Sequence, residues 1–165
     1  MSSSGQGASF LEDIIELAIA IELGAAEVYD TFARNFQDNE ELYLFWKLYS
    51  EAERYHAATI RVHQTAFASS NPVDQDDFPT EVEESRAFLA QLEAWVAEFT
   101  ATPATIERAF EVADHVENGA AEIHGRTQFF KLYPQFQALF TSMVEEDVGH
   151  RRMLQEAAAR FLEAR

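Results

Sequence analysis

Apolar positions recur every three or four residues along most of this chain, the spacing that puts one face of a helix against a core. Ile14, Ile15, Ala18, Ile21, Ala25 and Tyr29 follow that period. Ser9-Phe10-Leu11-Glu12 fits a capping box ahead of them, so a first helix is expected from about Ser9 to Phe36. Gln37 to Asn39 reads as a tight turn. Asp38-x-x-Glu41 offers a second capping box for a helix continuing through Trp46, Tyr49 and Ile60 to about Ala68. SSNPVDQDDFPT at 69–80 breaks the pattern. A shorter amphipathic helix around Glu83 to Phe99, carrying Phe88, Leu89, Leu92, Trp95, Val96 and Phe99, is expected to cross the bundle or cap one end. Thr102-Pro103 then serves as N-cap and first residue of a helix to about Leu132, Tyr133-Pro134 makes a turn, and a last helix runs to the C-terminus. No strand pattern competes. The predicted class is all-α, with two helical hairpins joined by one long crossover into a four-helix bundle over residues 9–165, preceded by a disordered tail at 1–8.

Composition narrows the partners. At 165 residues the chain can bury a core that tolerates polar groups, and a net charge of −17 opposes nucleic acid and anionic lipid while favouring cations. With no cysteine there is neither a disulfide nor a thiolate metal site. Charges interrupt every apolar run before about 18 residues, so no membrane span is expected, and MSSSGQGA lacks the features of a signal peptide. A cytoplasmic protein is the expectation.

The candidate chemistry lies in an internal repeat. IELGAAEVY at 21–29 and VENGAAEIH at 116–124 match at Glu22 and Glu117, and each is followed by an acid-x-x-His step, Glu53/His56 and Asp147/His150. Five histidines and 29 acids would give about one such step by chance, so the steps alone decide little. Position decides more. In an antiparallel hairpin, residues equidistant from the turn sit at one height: Glu22 and Glu53 are centred within the Gln37 to Asn39 turn, and Glu117 and Asp147 beside the turn at Leu132 to Pro134. The three-residue step keeps acid and imidazole on one face. Glu22 also falls on an apolar face, where an unpaired carboxylate is costly and a dication removes the cost. Four carboxylates and two imidazoles form a hard O/N set suited to iron or manganese. Gly24, Ala25 and Ala26, repeated in the second half, leave room for a neighbouring helix or a small oxidant.

With these residues the chain resembles the rubrerythrin branch of the ferritin-like superfamily. AIELGAAEVYDTFA is similar to that family's first ligand helix and SEAERYHAATI at 50–60 to its second. The resemblance spans residues 9–163. It implies two iron ions per bundle, with manganese or a mixed pair as variants, Glu22 and Glu117 as terminal ligands, Glu53 and Asp147 as bridges, and His56 and His150 each capping one metal. It further implies an oxidoreductase that reduces hydrogen peroxide with electrons from an external donor, and a homodimer. Iron storage with ferroxidase turnover, or oxygen activation for hydroxylation, are the alternatives. Two features depart from the family: Asp147 stands where glutamate is usual, with Glu146 as the fallback ligand, and the cysteine-free chain has no rubredoxin domain.

Tyr29 and His124, two turns beyond the repeated glutamates, are candidates for hydrogen bonding or proton delivery next to the ligands. Asp114 is a candidate to orient a ligand imidazole, against the simpler role of a solvated acid. His63 and His115 read as surface residues, Glu27 and Glu122 as surface charges. Trp46, Tyr43, Phe32, Phe129 and Phe140 read as core.

Overall fold

The computed structural model describes residues 4–68, 79–124 and 137–163, with the side chains near some segment ends left aside. Among the described residues there are five helices and no strand: α1 (Ser4–Asn35), α2 (Glu40–Ala68), α3 (Pro79–Ala101), α4 (Ile106–His124) and α5 (Gln137–Glu163). The expected turn at Tyr133-Pro134, and with it the end expected at Leu132, lies outside the described residues.

Helix ends follow local chemistry, with three shifts from expectation. α1 already runs from Ser4, ahead of Ser9 and into the stretch expected as tail; extending a formed helix costs far less than starting one. α2 is capped by Asn39, not Asp38: its Oδ1 accepts from Leu42 N at 3.1 Å. Thr105, and not Thr102, caps α4, its Oγ1 accepting from Arg108 N at 3.2 Å. Asn35 ties this corner together, its Oδ1 accepting from Ala104 N and its Nδ2 donating to Phe99 O.

Cross-helix contacts give the directions. Asp30 meets Lys47 while Glu16 meets Gln64, so α1 and α2 are antiparallel. Tyr29 meets Glu117 while Asn35 meets Ala104, so α1 and α4 are antiparallel as well. Glu41 with Arg160, Tyr49 with His150 and His56 with Glu146 make α2 and α5 antiparallel. α1 packs closely on α2, and α4 on α5.

α3 departs from the expected crossing or capping element. Its 23 residues run lengthwise, parallel to α1, with Leu89 and Leu92 beside Gly24 and Phe99 beside Phe32. At about 1.5 Å per residue it spans about 34 Å, the length needed to return the chain to the start of α4. The repeated glycines make its seat. A Cβ on Gly24 would lie 3.1 Å from Leu92 Cδ1, and one on Gly119 would run into the Phe88 ring. The small residues of the repeat thus admit a neighbouring helix; at the two glycines that space is filled by α3 and not left for an oxidant.

Between the α1–α2 turn and the middle of the helices lies an aromatic core. Trp46 packs against Tyr29, Phe32, Phe45 and Phe110, with ring centroids 4.9 to 6.0 Å apart. Burying such side chains contributes about 1.5–3 kcal/mol each. Tyr43, expected in the core, is instead exposed on the outer side of α2. Phe129 and the Phe140 side chain lie outside the described residues.

Candidate metal centre

Glu22 from α1, Glu53 and His56 from α2, Glu117 from α4 and Asp147 from α5 are each no more than 3% exposed, at one level of the helices. Helical spacing puts them there. Glu53 and His56 lie one turn apart on the inner face of α2, and Glu22 and Glu117 lie among the buried apolar positions Ile21, Ala25, Val116 and Ala120.

The groups form two triads that share a residue. In the first, His56 Nδ1 faces Glu53 Oε2 at 3.1 Å and Glu22 Oε2 at 3.4 Å. In the second, His150 Nδ1 faces Glu117 Oε2 at 3.8 Å and Glu53 Oε1 at 3.9 Å. Within each triad the possible ligand atoms lie within 4.8 Å of one another. Glu53 therefore turns one carboxylate oxygen to each imidazole. The two rings stand 5.7 Å apart, tilted by 28°.

Of the six residues expected as ligands, five meet in these triads. Asp147 is buried beside Glu117, close enough to raise its pKa, but contributes to neither triad. Its arm is one methylene shorter than a glutamate's. Glu146, the fallback on α5, takes a different position: with its side chain 44% exposed, it accepts from His56 Nε2 at 3.0 Å, the nitrogen turned away from the triad. That contact engages Nε2 and leaves Nδ1 as the nitrogen that faces Glu22 and Glu53.

Tyr29 donates from its hydroxyl to Glu117 Oε1 at 2.6 Å, across to the other half of the repeat and not to Glu22 on its own helix. Tyr49, not expected at the site, donates to the His150 carbonyl at 2.6 Å and fixes α5 against α2. The His124 side chain lies outside the described residues, as does that of Glu122. Asp114 is exposed and bonded to Asn118, so it orients no imidazole. His115 is exposed and half-buried His63 bonds Thr59 O, while Glu27 pairs with Arg34.

The electrostatics show an excess of buried negative charge. Burial, with the carboxylates of Glu22 and Glu117 nearby, holds Glu53 well above the usual carboxylate range. Burial also pushes Glu117 up to about 7, with Asp147 and Glu22 adding to it and the Tyr29 hydrogen bond opposing. For His56 burial favours the neutral ring, but Glu22 and Glu53 override it and raise the group to about 11. His150 is lowered by burial and by the charge on His56. Its Nδ1 is buried and makes no hydrogen bond. A buried imidazole nitrogen without a partner, aimed at two carboxylates, suits a cation between them.

Comparison with protein-family models, with curated proteins and with solved structures returned no match. Function is therefore argued from the site. Buried Glu and His groups able to hold a metal ion are in place, and no described helix is long and apolar enough to cross a membrane.

Proposed function

We propose that this protein is a di-iron carboxylate redox protein with a ferritin-like four-helix arrangement, which reduces hydrogen peroxide with electrons from an external donor. The observation that carries the proposal is Glu53, whose two oxygens face two separate histidine-containing triads. A single structural ion would need only one triad. In this reading Glu22, Glu53 and His56 would hold one metal, and Glu53, Glu117 and His150 would hold the other, with Glu53 common to both. Asp147, buried beside Glu117, would join them only by moving from its present position.

Bound iron would supply the two electrons that reduce peroxide to water, together with Lewis acidity. The chain supplies placement. Tyr29 fixes Glu117 Oε1, and because burial and the charges of Glu117 and Glu53 keep the phenol proton in place, it acts there as a fixed donor. Glu146 ties His56 Nε2 to a half-exposed carboxylate, giving the buried site a point of proton exchange with solvent. The electrons would come from an external donor.

Stopped-flow mixing after anaerobic ferrous loading tests the reaction. Oxidation much faster with peroxide than with oxygen supports the proposal. The net charge of −17 favours a second reading, iron capture and storage with ferroxidase turnover. Faster reaction with oxygen, with iron accumulating far beyond two per chain, would establish that reading in place of the first.

A further inference from the structure

Three of the four seams between neighbouring helices are shut at the level of the two triads. α1 packs closely on α2, and α4 on α5. α3 lies over the seam between α1 and α4, with Leu89 and Leu92 against Gly24 and Phe88 against Gly119, each glycine two residues from a candidate ligand. The fourth seam differs. Among the described residues the backbones of α2 and α5 scarcely come within 8 Å of each other, and long side chains span the gap: Glu41 to Arg160, Tyr49 to the His150 carbonyl, and His56 to Glu146.

The register of those three contacts sets Ala52 opposite Gly149, next in sequence to Glu53 and His150 and therefore at the height of the triads. Small residues thus face each other at the site. A Cβ added to Gly149 would have nothing within 4 Å, and both positions are partly exposed. Exposed Leu48 and Tyr55 on α2, and Glu146 and Met153 on α5, border this gap. Beneath it the imidazoles are held unequally. The His150 side chain is 13% exposed, against 1% to 5% for Glu22, Glu53, His56 and Glu117. Glu146 bonds the outer nitrogen of His56, whereas the outer edge of the His150 ring has no such partner among the described residues.

We infer that the seam between α2 and α5 is the entrance to the buried centre, and that it opens on the His150 triad and not on the His56 triad. Glu146 at its border and the net charge of −17 favour a cation or a small neutral molecule there over an anion. Of the two metals proposed above, the one held with Glu117 and His150 enters and leaves first. That order rests on the two-metal reading, while the entrance rests on the helix geometry alone.

Diethyl pyrocarbonate, which acylates imidazole, tests the entrance on the metal-free full chain. Modification of His150, followed by peptide mass spectrometry, should slow about tenfold in Gly149→Leu and in Ala52→Leu, each of which puts a branched side chain into the gap. The exposed His115 should react at an unchanged rate. Val148→Leu, at an exposed position that helical spacing turns away from α2, should leave His150 as reactive as in the parent. The two plugs sit on different helices, so if one fails to fold by circular dichroism the other decides. In ferrous-loaded protein held without oxygen, release to a chelator should show two phases, with the plugs slowing the faster. His150 modification that neither plug slows, or that Val148→Leu slows equally, overturns the entrance; two bound ions released in a single phase overturn the order. If the plugs protect His150 but no ferrous pair binds, the entrance stands and the two-metal reading fails.

Discussion

Replacing Tyr29 by Phe removes one oxygen from a buried, otherwise unchanged ring, and its consequences can be worked out for the metal-free protein. The lost bond is the 2.6 Å donation to Glu117 Oε1. Glu117 is held up to about 7, above its ordinary 4.5, so it is neutral in the folded state at pH 5 and charged at pH 8. A hydrogen bond to a carboxylate contributes about 1.5–3 kcal/mol, one between neutral groups about 0.5–1.5 kcal/mol. Tyr29→Phe should thus destabilise by about 2 kcal/mol at pH 8 and about 1 kcal/mol at pH 5. The sign agrees with linkage. A carboxyl raised on folding contributes stability that is complete below its unfolded value and lost as pH rises through its folded one. Removing the donor moves that loss upward by about 0.7 pH units, the equivalent of the extra 1 kcal/mol. Urea unfolding of chelator-treated protein at the two pH values measures both figures. An equal loss at the two values, or a larger one at pH 5, would refute the argument that Tyr29 acts on the charged form of Glu117.

Three further outcomes follow from particular contacts. Gly119→Ala should lower stability by about 1–2 kcal/mol, since displacing the Phe88 ring outweighs the gain in helix propensity, whereas Gly149→Ala, with open space around it, should raise stability by about 1 kcal/mol in thermal unfolding. Glu146→Ala should weaken ferrous binding about 10–100-fold in equilibrium titration while leaving metal-free stability nearly unchanged, because it frees His56 Nε2. Asp30 is lowered although burial alone would raise it, because Lys47 and Arg54 hydrogen-bond its carboxylate; that contribution is present above the ordinary value of 3.8 and lost as pH falls through the folded one, so Asp30→Asn should flatten the acid limb of a stability–pH curve below about pH 4.

What was legible in the sequence depended on locality. Glu22 and Glu53 could be set at one level because a short turn joins their helices, so counting from the turn fixes their heights. The same counting set Glu117 and Asp147 level, and both are buried at the centre. Contacts between helices not joined by a turn obey no such rule. The tyrosine bonds from Tyr29 to Glu117 and from Tyr49 to His150, and the Glu146 contact with His56, depend on how the hairpins face each other, which periodicity does not encode. Glycines are similarly ambiguous. Their repetition at 24 and 119 marked a close approach, yet only the course of α3 reveals which helix approaches. The α2 cap erred by one residue, since Asp38 and Asn39 are both good caps and the choice rests on the geometry of a four-residue turn, and the α4 cap by three, from Thr102 to Thr105.

The bridging place of Glu53 is tested most directly by ferrous stoichiometry. Anaerobic titration should reach two ions per chain in the parent protein and in His63→Ala, and Glu53→Ala should lose the pair. Binding of a single ion by the parent, or two ions retained in Glu53→Ala, would contradict the account.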